Sequence, residues 1–171
     1  MRALVIRHDH LSLSGPVGDR IAQLGYDIDE LTVVPAERHN SPGVEFAFPD
    51  PAGYDLVVLL GAPWSVYDRF TVPPGAVELA RSAVGPQAFR AGRALGVQFH
   101  PELAEETLLQ WLDSGGRHEA VAHGEDPERL LTETRARHEE SRQRAYDLVD
   151  AFLAQIAGVT GARAGGRGHA A

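Results

Sequence analysis

A histidine, a proline and a glutamate stand together where an apolar run stops, in Ala94-Leu95-Gly96-Val97-Gln98-Phe99-His100-Pro101-Glu102. An imidazole at the tip of a strand can act as a general base, and a nearby carboxylate can fix its tautomer. Both residues also have ordinary structural uses. Glu102 would fall in the first turn of a following helix, where the helix dipole favours a carboxylate. His100 could be a satisfied strand-end histidine. A second group, His8-Asp9-His10, puts two imidazoles at positions i and i+2 of a strand end, so that they project together. Two such ligands do not complete a metal site. Nothing in the sequence brings Asp55, His100, His118 or His123 to them, so no metal is expected and the segment reads as a polar loop. Gly15-Pro16-Val17-Gly18 at a helix start could cradle an anion on its amides, but it lacks the G-x-G-x-x-G spacing. Trp64 and Tyr67 could line a pocket or pack their loop, and both readings stay open.

Composition removes several chemistries. The 171 residues include no cysteine, which excludes disulfides, thiolate metal sites and a cysteine nucleophile. The basic residues are all arginine, so Schiff-base and Walker-type lysine chemistry is excluded too. A net charge of −8 argues against nucleic-acid and anionic-membrane partners, which need a basic face. No apolar run is long enough to span a bilayer, and Arg7 and His8 interrupt the first apolar stretch where a signal peptide would continue. The expected location is cytoplasmic.

The elements that must carry these residues follow from periodicity and punctuation. Residues 2–7 (RALVIR) read as a first parallel strand. Ser14 can cap a helix over 16–24, which Gly25 ends. Residues 26–34 read as a second strand. Residues 35–53 are a proline-rich loop with room for a short extended piece at 44–48, and 55–60 (DLVVLL) reads as a third strand buried on both faces. This is the opening of a doubly wound α/β sheet. Short strands at 77–83, 87–90 and 94–99 then form an antiparallel meander leading into His100. A helix over 103–112 stops near Gly115-Gly116, and one long helix, capped by Asp126, covers 127–156. The Gly-, Ala- and Arg-rich residues 158–171 are expected to be disordered. The whole is expected to be a single domain over 1–157.

In this order the chain resembles the class I glutamine amidotransferase domains. Gly96-Val97-Gln98-Phe99-His100-Pro101-Glu102 is similar to the family's G-x-Q-F-H-P-E signature, and Gly61-Ala62-Pro63-Trp64-Ser65 to its G-G-P-x-S loop. Residues 71–93 resemble the family's block of short strands. The resemblance implies a flavodoxin-like, doubly wound and mostly parallel sheet with a short antiparallel meander. It implies that His100 is the general base, Glu102 its orienting carboxylate, and Gly61 and Ala62 part of the substrate-binding oxyanion loop. It also implies glutamine as substrate, a synthase or acceptor partner, and no cofactor. The chemistry suits those types: amide attack needs an activated nucleophile, and backbone N–H groups must meet the oxyanion.

The departure from the family is a missing piece. Its nucleophile is a cysteine in a G-x-C-x-G-x-Q elbow between the oxyanion loop and the H-P-E strand. Here there is no cysteine, and no serine has the flanking glycines of a G-x-S-x-G elbow. An elbow needs a strand of about 5 residues and a helix of about 11, whereas Asp68-Arg69-Phe70 reads as a join. The central strand, elbow and following helix are expected to be deleted. Its neighbours would then close up, expose edges, or be completed by another chain as a homo-oligomer. The expected function is an amidotransferase-like protein that is inactive. The alternative is a non-catalytic binding module on the same fold, and a weaker one a hydrolase using Ser65 or water with His100.

Overall fold

The structure is a computed structural model that describes residues 1–41, 43–62, 72–83 and 85–158. Strand β1 (Arg2–Asp9) is flanked on both sides by parallel partners, β2 (Asp27–Val34) and β3 (Leu56–Leu59), in the order β2-β1-β3. Central placement explains why Ala3 to Ile6 are at most 6% exposed. A strand covered on both faces reads as a continuous apolar run, and this one does. The register sets Ala3 opposite Ile28 and Leu56, and ends with Asp9 opposite Val34. The carboxyl ends of β1 and β2 therefore lie side by side.

Helix α1 (Gly15–Gln23) connects β1 to β2, carries Pro16 in its first turn and buries Ile21. Gly25, at φ +84°, turns the chain out of it, its N–H donating to the Ala22 carbonyl at 2.9 Å. Ser14 precedes the helix but does not cap it. Its backbone is already helical, and its hydroxyl donates instead to Glu30 Oε1 at 3.2 Å. Residues 35–55 hold two 3₁₀ turns, Ala36–Arg38 and Pro51–Gly53, and no strand at 44–48.

Two expectations about length and burial are corrected. Leu59 is 65% exposed, so β3 is not buried on both faces. Among the described residues β3 pairs with β1 alone, and an edge strand loses the cover that a neighbour would supply. The helix expected over 127–156 is two, α4 (Pro127–Ala136) and α5 (His138–Gln155), broken at Arg137. No residue between Leu131 and Ala145 is buried, so packing does not enforce continuity through that charged stretch.

The remaining helices are α2 (Glu105–Trp111), α3 (Arg117–Ala122), α4 (Pro127–Ala136) and α5 (His138–Gln155). A wide turn, Leu112–Gly116, joins α2 to α3. Gly115 at φ +111° bends the chain there, where the sequence suggested a stop. Asp126 caps α4 as expected, accepting from the Glu128 N–H at 3.0 Å. Arg135 reaches Glu105 at 2.6 Å and Arg117 reaches Glu128 at 2.7 Å, tying α4 to α2 and α3. These pairs are exposed, so solvent screens them and they add little to stability.

The chain divides into two compact units. The first holds the described residues up to 62 together with 101–145, and so the parallel sheet, α1 to α4 and the start of α5. The second holds those of 72–100 and 146–158. It contains the meander β4 (Val77–Ser82), β5 (Gly85–Ala91) and β6 (Ala94–Val97), in the expected antiparallel order. The Phe89 ring lies over Gly96, its register partner. A Cβ at Gly96 would stand 2.2 Å from that ring. The Arg93 guanidinium donates to the Ala157 carbonyl at 2.9 Å, closing the meander onto the end of α5.

Candidate functional site

The carboxyl edge of the parallel sheet collects the most chemistry. The loop leaving β1 is held through its own backbone. The Arg7 guanidinium donates to the His10 carbonyl at 2.6 Å and the Ser12 carbonyl at 2.9 Å, and the Trp111 indole donates to the Leu11 carbonyl at 3.3 Å. With three successive carbonyls taken, the main chain from His10 to Ser12 is held in place. Asp9 is fully buried. Its Oδ1 accepts from the Ser12 N–H at 3.1 Å and lies 2.7 Å from Ser12 Oγ. That hydroxyl is also 2.9 Å from the Gly61 carbonyl, and its one proton can serve only one of the two acceptors at a time. The loops after β1 and β3 are thereby tied together. His8 joins the same tie: its Nδ1 donates to the Leu60 carbonyl.

His39 completes the group. Val34 stands opposite Asp9, so the chain leaving β2 emerges at the same edge. The 3₁₀ turn Ala36–Arg38 then brings His39 back, with its Nδ1 3.4 Å from Asp9 Oδ2. The His10 and His39 rings meet edge to face with centroids 5.3 Å apart. One potential ligand atom from each of Asp9, His10 and His39 lies within 4.8 Å of the other two. His8 is not part of this group, although the i, i+2 spacing paired it with His10. His118 and His123 are exposed elsewhere, and Asp55 accepts from the Arg2 N–H at the opposite end of β3. No local spacing in the sequence links His39 to Asp9 or His10. The signal that could have found it is the rule that adjacent parallel strands end at one edge, where α/β sheets place their ligands.

The residues singled out by the motif fall as follows. His100 is exposed, two residues past the Gln98 N–H that still pairs with Gln87 at 2.9 Å. The strand it follows, β6, belongs to the antiparallel sheet, not the parallel one. Glu102 is 8% exposed and precedes α2 by a turn, so it does not sit in the first helical turn. Its carbonyl oxygen lies against Gly15, where a Cβ would stand only 2.1 Å away, and φ +43° already favours glycine. His100 belongs to the second unit and Glu102 to the first. Gly61 and Ala62 are exposed just beyond β3, with Gly61 anchored through its carbonyl. Pro63, Trp64, Ser65, Tyr67 and the join at Asp68-Arg69-Phe70 lie outside the described residues, as do residues 159–171.

A groove of about 330 Å³ opens between the start of α1 and the start of α2. Asp19, Glu30 and Glu106 line it against His138 and Arg142, a balance that does not favour an anion.

No protein-family profile matches the sequence, and no curated protein sequence does. Among solved structures the chain is similar to a glutamine amidotransferase from Thermotoga maritima, over 92% of this chain and 98% of that one, with a TM-score of 0.67. The chain shares a glutamine amidotransferase's fold. Sequence identity is 18%, so what the two share is the architecture that the H-P-E signature led one to expect.

Proposed function

We propose that this protein is a class I glutamine amidotransferase-like domain that does not hydrolyse glutamine. The observation that carries the reading is a combination: the fold and the G-x-Q-F-H-P-E signature occur in a sequence without any cysteine. In this reading His100 is the retained base, Glu102 the retained orienter, and Gly61 and Ala62 the remnant of the oxyanion loop. The burial of Glu102 supports a positioned carboxylate, because a buried carboxylate is held by specific contacts, unlike one resting on a helix dipole. That β3 pairs with β1 alone among the described residues agrees with the loss of a neighbouring strand. Without a thiolate no glutamyl thioester forms, and the base has no nucleophile to activate. Glutamine binding, a synthase or acceptor partner and a cytoplasmic location belong to the same reading. Among the described residues no helix is long and apolar enough to cross a membrane.

Purified protein incubated with glutamine is expected to release glutamate at the rate of buffer alone. Glutamate release that disappears in His100→Ala would overturn the proposal.

A second reading, a non-catalytic interaction module, is favoured by one observation. Leu59 is exposed on β3, whose outer edge has no partner among the described residues and could pair with another chain.

A further inference from the structure

We propose that Asp9, His10 and His39 form a binding site for a divalent transition-metal ion of the Zn²⁺ class. The inference does not depend on the amidotransferase reading, because none of the three residues belongs to the signature or to the oxyanion loop.

Donor type comes first. Two imidazoles and one carboxylate form an N₂O set of the kind that holds Zn²⁺ and its neighbours, whereas Mg²⁺ and Ca²⁺ prefer oxygen ligands throughout. Geometry comes second. With metal–ligand bonds of about 2.0–2.1 Å, two ligand atoms of a tetrahedral site lie about 3.3 Å apart. His39 Nδ1 and Asp9 Oδ2 are 3.4 Å apart, so one edge of the polyhedron already has its length. All three ligand atoms already lie within 4.8 Å of one another, so small side-chain rotations would bring them to bonding distance of one ion.

Unmet polar groups give the independent argument. Asp9 is fully buried, yet among the described residues its Oδ2 makes no hydrogen bond. His10 Nδ1 is a buried nitrogen that also lacks a hydrogen-bond partner among those residues. Native proteins seldom leave such atoms unmet, since each costs about 1–3 kcal/mol. A cation seated among them would satisfy both at once. The support behind the ligands fits the same purpose. Ser12 holds Asp9 Oδ1 from its backbone N–H, leaving Oδ2 to point at the histidines, and Arg7 clamps the His10 main chain. Metal-ligating carboxylates are usually held by outer hydrogen bonds of this kind. Three protein ligands leave a fourth position for water or a small ligand.

The competing account is a buried Asp9–His39 ion pair with no metal. Co²⁺ titration of chelator-treated protein separates the two. The expected result is one Co²⁺ per chain with the visible absorption of a tetrahedral site, displaced by Zn²⁺, and a melting temperature that rises with Zn²⁺ concentration. His39→Ala and Asp9→Asn should each weaken binding at least about 10-fold, while the double variant His118→Ala/His123→Ala should bind as the parent does. Should the variants fold poorly, the parent protein decides alone. In its NMR spectrum Zn²⁺ should shift the ring nitrogens of His10 and His39. No stoichiometric binding, affinity unchanged in His39→Ala, or shifts confined to other histidines would overturn the site.

Discussion

Tyr26 is 5% exposed, and its hydroxyl is buried without a hydrogen-bond partner among the described residues. Burial first, and the charge of Asp55 second, push its phenol above the ordinary value. A group whose native pKa is raised contributes stability that is fully present below its unfolded pKa of about 10. That contribution is lost as pH rises through the native value, because the unfolded chain ionises first. Tyr26→Phe removes the unmet hydroxyl and should leave stability at neutral pH unchanged or higher by about 1 kcal/mol. The variant should also lose the alkaline decline above about pH 10. Urea unfolding midpoints on either side of that pH check both statements. A midpoint at neutral pH well below the parent's would mean that the hydroxyl is satisfied after all. The same scale shows what could be read in advance. His100 and Glu102 could be singled out as candidates because they sit in one short motif. The Asp9, His10 and His39 group was only half visible, because His39 is brought to Asp9 by the parallel register of β1 and β2 and by no local spacing.

At the scale of elements, strand β1 and the meander were legible because their signals are local: an apolar run bounded by polar residues, and turns at Gly85 and Gly92 with positive φ. Edge status is not local. DLVVLL reads the same whether or not a neighbour covers it, and only the pairing reveals that Leu59 faces solvent. The break at Arg137 was equally hidden, since the residue is a good helix former, and the unburied stretch from 132 to 144 merely permits a break without costing packing. Ser14 misled because a side chain that can cap a helix can also bond elsewhere, here to Glu30. The exposed edge carries a prediction. If β3 pairs with a second chain, Leu59→Lys should abolish association, because a lysine on an edge strand opposes pairing. Thermal stability should barely change, by about 0.5 kcal/mol or less for an exposed position. Sedimentation of parent and variant over a range of concentrations measures this. A parent that stays monomeric throughout would remove the edge as a docking surface.

For the molecule as a whole, the two units differ in what holds each together. The parallel unit buries Ala3, Leu4, Val5, Ile6, Ile21 and Tyr26 among others around its central strand. In the second unit the buried residues among those described are Ala88, Val149, Leu153 and Ala157, and all of β4 is exposed, including Val77 and Leu79. A fully buried leucine or valine contributes about 1.5–3 kcal/mol, and alanine offers much less area. Hydrogen bonds of the meander are therefore backed by a thin apolar layer, and local opening should expose them well before global unfolding. Native-state hydrogen exchange should find the amides of Leu4, Val5 and Ile6 exchanging only through complete unfolding. The amides of β5 that pair with β4 should exchange through a smaller opening that responds weakly to denaturant. The denaturant slope is the deciding quantity, because it scales with the surface exposed in each opening. Equal slopes and equal opening free energies in β1 and β5 would show that the thin layer is not the weaker one, and that the two units unfold as one cooperative body.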